Sequence, residues 1–249
     1  ETWTATSGRV WSGSQLHGPS IALTAASSSA AAICTRSSID VDGYKLKEAI
    51  RKGCERATTE HPLRSSVVHP ITRVNEQTSC GIRVPVINID FTDKDEVFEM
   101  EMIPKGSGSE NGSYLKMCIP AEGVAGIKSF VVDKVIECGG RVCPPTIVGV
   151  GVGGTSDLCT KLAKKAGARA LGSTCPDPEG AKLEKELSAA VNMLGIGPQG
   201  LGGDSTAFAV HVETAATHIT MNPVAVNIMC HSARRARASF TPKGVEIGF

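Results

Sequence analysis

Thr146-Ile147-Val148-Gly149-Val150-Gly151-Val152-Gly153-Gly154-Thr155-Ser156 decides how the rest of the chain is read. Its first seven residues are apolar, β-branched or glycine, the pattern of a short strand buried on both faces. The glycine pair and the hydroxyl residues after it open a helix expected from about Ser156 to Lys165. The stretch also matches the dinucleotide fingerprint G-x-G-x-x-G in form. No strand ending in an acidic residue follows at the distance that such a site needs. A helix N-terminus directed at a carboxylate or a metal cluster uses this geometry better, and a nucleotide-binding protein stands as a third reading.

Upstream, periodicity predicts a helix from about Ala121 to Cys138. It would bury Val124, Ile127, Val131 and Val135 and stop at Gly139-Gly140. Strands are expected at Val84–Phe91 and at Val97–Ile103, where Phe98, Met100 and Met102 alternate with Glu99 and Glu101. Thr92-Asp93-Lys94-Asp95 reads as the turn of a hairpin joining them. Asp42 caps a helix to about Ala57, with Leu46, Ala49, Ile50 and Gly53 on one face. Downstream, Asp177-Pro178-Glu179 combines a cap, a proline at the first helical position and an acid in the first turn. The helix it starts presents Leu183, Leu187, Val191 and Leu194. Ala207–Val212 and Val224–Met229 read as further strands. The fold class is α/β, a mixed α+β domain with glycine-rich loops at its strand ends, covering residues 40–249.

Residues 1–39 differ from the rest. They are rich in Ser, Ala, Thr and Gly, with Glu1 the one acid and arginines at Arg9 and Arg36. This composition suits either a poorly ordered leader or an organelle transit peptide. The expected compartment is the cytoplasm or an organelle matrix, and composition does not choose between them.

Across all 249 residues the formal charge is +1 and aromatics make up 4%. That balance provides neither a polyanion field nor a base-stacking platform, so nucleic acid is not an expected partner. No run approaches the roughly 18 apolar residues that span a bilayer. Nine cysteines are scattered without a Cys-x-x-Cys pair, which argues against zinc ribbons and redox dithiols. Most are expected to be small core residues, with a few open to metal ligation.

Chemistry is expected at four loops. Lys105-Gly106-Ser107-Gly108-Ser109-Glu110-Asn111 offers backbone N–H groups, hydroxyls and a cation to an anionic substrate. Gly149–Thr155 is the second. Gly195–Gly203 holds five glycines and a proline in nine positions, a composition for sharp bends or close backbone approach. Cys143-Pro144-Pro145 sets a thiol just before the buried strand, and Cys230 is its counterpart at the end of the last strand.

Together these segments resemble the α subunit of two-subunit class I fumarases and L(+)-tartrate dehydratases. The carriers are Lys-Gly-Ser-Gly-Ser-Glu-Asn from Lys105, Cys-Pro-Pro-x-x-Val-Gly-Val-Gly-x-Gly-Gly-Thr from Cys143 and Leu-Gly-Ile-Gly-Pro-Gln-Gly-Leu-Gly-Gly from Leu194. Thr217-His218-Ile219 and Pro-Val-Ala-Val-Asn-Ile-x-Cys-His-x-Ala-Arg-Arg from Pro223 complete the set in family order. The resemblance implies a 4Fe-4S cluster held by three cysteines, with one iron open to the substrate hydroxyl as a Lewis acid. It implies Cys143 and Cys230 as two ligands. The third opens a Cys-Gln-Asp-Thr-Gly run in the family; here Cys34 is the one cysteine upstream of the first helix, and Gln-Asp-Thr-Gly is absent. His218 is implied as a catalytic and substrate-binding histidine, Arg64 as a carboxylate-binding arginine, and Gly106 and Gly108 as the floor under the substrate. Ser107 stands where the family has a glycine. Arg234, Arg235 and Arg237 read as a solvated face. The implied reaction adds or removes water on a four-carbon dicarboxylate, fumarate/malate or tartrate/oxaloacetate. The remaining catalytic groups of the family lie on a β subunit, so a hetero-oligomer is expected. The alternative is a non-catalytic remnant without a complete cluster site.

Overall fold

In the computed structural model of the chain, the described residues are 22–25, 31–35, 43–61, 63–90, 98–230 and 235–248. They divide into two compact units, residues 1–105 with 234–249 and residues 106–233. Two sheets and five α-helices make the mixed α+β class that the sequence predicts.

In the first unit, strands β1 (Ala22–Ala25), β2 (Ala31–Thr35), β3 (Val86–Asp90) and β4 (Phe98–Met102) share a sheet with two later strands. These are β9 (Ala236–Thr241) and β10 (Gly244–Gly248), which form an antiparallel pair. Helix α1 (Gly43–Glu60) buries Ile50, Gly53 and Cys54, whereas Ala49 is exposed. Its apolar stripe meets Cys80 and Phe98 in a small core, joined by Met100, Met102 and Phe240. Phe98 and Phe240 pack edge to face with centroids 5.1 Å apart.

The expected hairpin of β3 and β4 does not form, because β2 lies between them, parallel to β3 and antiparallel to β4. Its proposed turn falls outside the described residues. Within the Ser/Ala-rich stretch 1–39 the described residues are the two strands β1 and β2; the expectation of a poorly ordered leader otherwise falls outside the described residues. Arg235 and Arg237 are not a merely solvated face. They pair with Glu101 and Glu99 across the antiparallel β4–β9 ladder, as opposite charges on neighbouring strands do.

The second unit is built on a four-stranded sheet. Its strands are β5 (Ser113–Cys118), β6 (Thr146–Gly153), β7 (Ala209–Ala215) and β8 (Asn222–Cys230), in the order β5-β8-β6-β7. β6 runs parallel to β7, and β8 runs antiparallel to both β5 and β6. Helices α3 (Gly123–Cys138) and α5 (Pro178–Asn192) cover one face with Ile127, Phe130, Val131, Val135, Leu183, Leu187 and Val191. Val124 is exposed, since the buried stripe of α3 begins one turn later than expected, at Ile127. Asp177 caps α5 as predicted, its carboxylate accepting from the Glu179 N–H at 3.2 Å.

Helix α4 (Ser156–Gly167) covers the other face, and it explains the glycines of β6. A Cβ on Gly149 would lie 2.1 Å from the Ala163 carbonyl oxygen, and one on Gly151 would lie 2.1 Å from that of Cys159. Helix backbone therefore rests directly on strand backbone. Two of the three glycines of the formal dinucleotide match are thus consumed inside a strand, and the nucleotide reading loses its phosphate loop. Val148, Val150 and Val212 fill the opposite face.

Next to α4, Arg169 joins Glu184 at 2.7 Å and Glu213 at 3.3 Å. Glu184 also accepts from the Val212 N–H at 2.8 Å and the Cys175 N–H at 3.0 Å. The carboxylate so covers the backbone of an edge strand that would otherwise be open to pairing. His211, buried beside this group, holds Nδ1 3.1 Å from the Ala166 carbonyl. Burial and then the Arg169 charge hold its pKa below the ordinary value, against the weaker pull of Glu184 and Glu213.

Gly151→Ala is expected to destabilise the second unit by about 3 kcal/mol, read by chemical denaturation, because neither backbone can move aside. A wild-type midpoint for this variant would refute the backbone contact. His211 gives a pH dependence. Its folded pKa is depressed, so the unfolded state takes up the proton first, and stability present above the unfolded value is lost as pH falls below about 6.5. His211→Asn keeps a donor for Ala166 and is expected to flatten that acid-side slope in denaturation curves.

Candidate functional site

The strand directions bring the starts of β5, β6 and β7 to the same end of the sheet as the finish of β8. Thr146 is the ladder partner of Cys230. Cys143 precedes Thr146 by Pro144 and Pro145, joined by a cis peptide, so both thiols sit at this end. Cys143 is exposed and Cys230 half-buried. A Cβ on Gly106 would stand 3.4 Å from Cys230 Sγ, and one on Gly108 3.2 Å from the Arg141 carbonyl oxygen. The approach is tight at Gly108 and of ordinary contact distance at Gly106.

The segment read as an open loop from Lys105 contains a one-turn helix, α2 (Ser107–Asn111). Its backbone is partly committed, with the Glu110 N–H donating to the Gly106 carbonyl at 3.2 Å. Three side chains fix it. Ser109 Oγ donates to the Gly106 carbonyl at 2.8 Å. Asn227 Nδ2 donates to the Ser109 carbonyl at 3.3 Å and to Ser113 Oγ at 2.6 Å. Lys164 grips Glu110 at 2.9 Å from α4. On the other side, Arg141 Nε donates to the Cys138 carbonyl at 3.1 Å and Nη2 to Tyr114 Oη at 3.1 Å. Gln199, at the tip of the glycine-rich loop, brings Nε2 to 4.0 Å from Cys143 Sγ. The sequence reading named none of Gln199, Asn227, Glu110 or Arg141 as site residues. Gln199 carried the one available signal, a long polar side chain among glycines.

Exposure separates the cysteines. Eight have described side chains, and six of these are buried. Burial pushes all six thiols up, Cys54 to about 12 and Cys159 to about 11, with Cys80, Cys118, Cys138 and Cys175 raised for the same reason. Cys143 and Cys230 are the two that remain accessible. Among the described residues no three His, Cys, Asp or Glu side chains gather as a metal site. Cys34 lies on β2, in the other unit, and its side chain is outside the described residues.

His218 is not with the thiols. It sits in the turn between β7 and β8, where Thr217 Oγ1 donates to the Gly154 carbonyl at 3.0 Å. Gly154 follows the far end of β6, so the length of that strand, roughly 23 Å at 3.3 Å per residue, separates His218 from Cys143. The Thr220 N–H donates to His218 Nδ1 at 3.2 Å, which leaves the proton of the neutral ring on Nε2. The start of α4 lies at this far end too, so its N-terminus does not point at the thiols. Arg64 is exposed on the irregular segment between α1 and β3. Its neighbour Ser65 is tied back to Asn75 at 3.1 Å and to Gln77. No described helix is long and apolar enough to cross a membrane.

The second unit thus carries its two accessible described thiols at the strand ends of a mixed sheet. The sequence profile of the family described as fumarate hydratase (Fumerase) matches residues 31–239. The chain belongs to that family. It is 49% identical over 193 residues to a putative L(+)-tartrate dehydratase subunit alpha of Methanocaldococcus jannaschii, covering 77% of this chain and 68% of the relative. To the L(+)-tartrate dehydratase subunit alpha of Escherichia coli K12 it is 35% identical over 191 residues, 77% of this chain and 63% of that protein. The chain therefore spans about two thirds of the length of these relatives.

Native, metal-free chain treated with N-ethylmaleimide is expected to be labelled at Cys143 first and Cys230 second. Cys54, Cys80, Cys118, Cys138, Cys159 and Cys175 should react only after denaturant is added, as peptide mass spectrometry will read. Equal labelling of all eight would overturn the exposure argument.

Proposed function

We propose that the chain is the α-type half of an iron–sulfur hydro-lyase acting on a four-carbon dicarboxylate, fumarate/malate or tartrate/oxaloacetate. The observation that carries this reading is the selective exposure of Cys143 and Cys230 at one end of one sheet. The donors there suit the group in kind: two accessible thiols of the soft ligand class that iron–sulfur clusters take, with Gly106 where a side chain would cover Cys230. Cys143 and Cys230 would hold a 4Fe-4S cluster, with Cys34 proposed as the third thiolate. When bound, an open iron supplies Lewis-acid chemistry to a departing hydroxyl.

The chain's own part is to bind and orient. Gly106 and Gly108 form a floor that no side chain fills, and the Glu110–Lys164 and Asn227 contacts hold that floor still. Arg64 is proposed to take a substrate carboxylate through its guanidinium fork. His218 stands too far from the thiols of its own unit to share their reaction centre, so it takes no step there in this reading. The proton-abstracting base and a further carboxylate clamp are assigned to a β partner, and the working enzyme is a hetero-oligomer. That displacement of His218, with the missing Gln-Asp-Thr-Gly run, favours the second reading, a non-catalytic remnant.

Iron and sulfide analysis after anaerobic reconstitution separates the two. Cys143→Ser and Cys230→Ser are expected to lose the cluster, while Cys159→Ser and Cys175→Ser keep it. Because groups that act as a unit fail together, the chain alone should not hydrate fumarate or dehydrate malate or tartrate, and addition of a β subunit should restore turnover. Equal iron in all four variants would remove the ligand assignment, and a wild-type chain that assembles no cluster and shows no turnover with the partner would leave the remnant reading standing.

A further inference from the structure

The loop from Ile196 to Gly202 is closed on itself. The Gly202 N–H donates to the Ile196 carbonyl at 2.9 Å and the Leu201 N–H to that of Pro198 at 3.1 Å. A Cβ on Gly197 would lie 2.0 Å from the Gly202 carbonyl oxygen, so the neck of the loop is backbone on backbone. Its base is tied down as well, with the Gly197 N–H donating to Thr206 Oγ1 at 3.3 Å. The N–H groups of Thr206 and Ala207 both donate to Asn192 Oδ1, at 2.8 and 3.0 Å. A loop held in this way presents its tip in one place.

Gln199 is that tip. It stands at φ 51, ψ 26, in the left-handed region, where glycine carries no steric cost and other residues do. Glycines stand at 197 and 200, also at positive φ, yet the left-handed place between them holds a long amide side chain. The Gln199 carbonyl is seated on Gly140, where a Cβ would come within 2.3 Å of its oxygen. Gly140 belongs to the short 3-10 turn Gly139–Arg141 that leads into Cys143. The two turns are thus locked together by a contact that neither can relax, and across it Nε2 lies 4.0 Å from Cys143 Sγ. This is the long limit of an N–H···S contact to a neutral thiol, and a thiolate accepts such a bond more strongly and at closer range.

Resting on the proposed function above, we propose that Gln199 is a positioning residue, donating a side-chain N–H to the Cys143 thiolate and so fixing and tuning that ligand. Hydrogen bonds to ligating sulfur change the electronic state of an iron–sulfur centre and its resistance to oxidation. The strained backbone is explained on this basis: the turn needs a left-handed residue, and the ligand needs an amide at that position.

The test uses the full chain as wild type, Gln199→Leu and Gln199→Gly, reconstituted anaerobically with ferrous iron and sulfide. The leucine variant keeps the bulk and removes the amide. The glycine variant removes the amide and relieves the backbone. All three are expected to load equal iron. Both variants should shift the electron paramagnetic resonance signal of the reduced cluster and bleach in air faster, on the order of tenfold. A glycine variant that matches wild type in signal and bleaching rate would overturn the proposal, since backbone fit rather than the amide would then be what matters. Unchanged behaviour of both variants would overturn it alone and leave the proposed function intact. A wild-type chain that assembles no cluster would overturn both.

Discussion

The second unit depends on one contact, the backbone of α4 lying on the backbone of β6. Strands and helices ordinarily keep their distance because side chains stand between them. Here Gly149 and Gly151 remove the side chains, and the carbonyls of Ala163 and Cys159 occupy their place. With the helix pressed so close, Cys159, Ala163 and Ala225 are enough to fill the seam between α4 and the sheet. Most of the larger aliphatic mass goes to the other face, under α3 and α5, while Met229 packs against Gly167 of α4. The layers are therefore unequal, thin on the α4 side and thick on the other.

That asymmetry has consequences at the strand ends. Because α4 lies low, Lys164 can reach over to Glu110 and hold α2. From within β8, Asn227 holds the same turn, and three residues later the strand delivers Cys230 beside Gly106. The thiol-bearing end is thus assembled from pieces that each lean on the sheet. Two of its turns are set by close backbone approaches, at Gly140 and Gly197, rather than by packed side chains. Such joints tolerate little substitution but cost conformational entropy on folding. They suit a place where ligand atoms must be held without covering them.

The cysteine content makes sense in the same terms. A thiol is small and apolar enough to serve as core, and six of the described ones do so, each with its pKa raised by burial. The two that escape burial sit at one end of the second unit's sheet, Cys230 finishing β8 and Cys143 leading into β6. The end of an element is not enough by itself, since Cys118 and Cys138 also end elements and are buried.

Much of the fold was legible in the chain itself. Local chemistry marked α5 through Asp177 and Pro178, marked β6 through its apolar run, and drew attention to every glycine-rich turn. The alternation from Phe98 to Met102 gave a strand that does form. The family resemblance likewise came from contiguous motifs, which need no folding to be seen. Pairing did not follow from local pattern: β2 intervenes between β3 and β4, because strand partners are chosen by long-range contacts. Helix α2 and strands β1, β2, β5, β9 and β10 were missed for a related reason, since their short, mixed sequences have periods too weak to read without the surface they pack on. The purpose of Gly149 and Gly151 could not be read either, because a glycine in sequence reports only permission, and the helix that uses it lies in three dimensions. Only tertiary structure placed His218 at the opposite end of the sheet from Cys143 and Cys230, since the direction of β8 carries the chain from one end to the other in nine residues. Sequence determined which residues could do chemistry and which elements would hold them; the sheet's strand directions decided which of them meet.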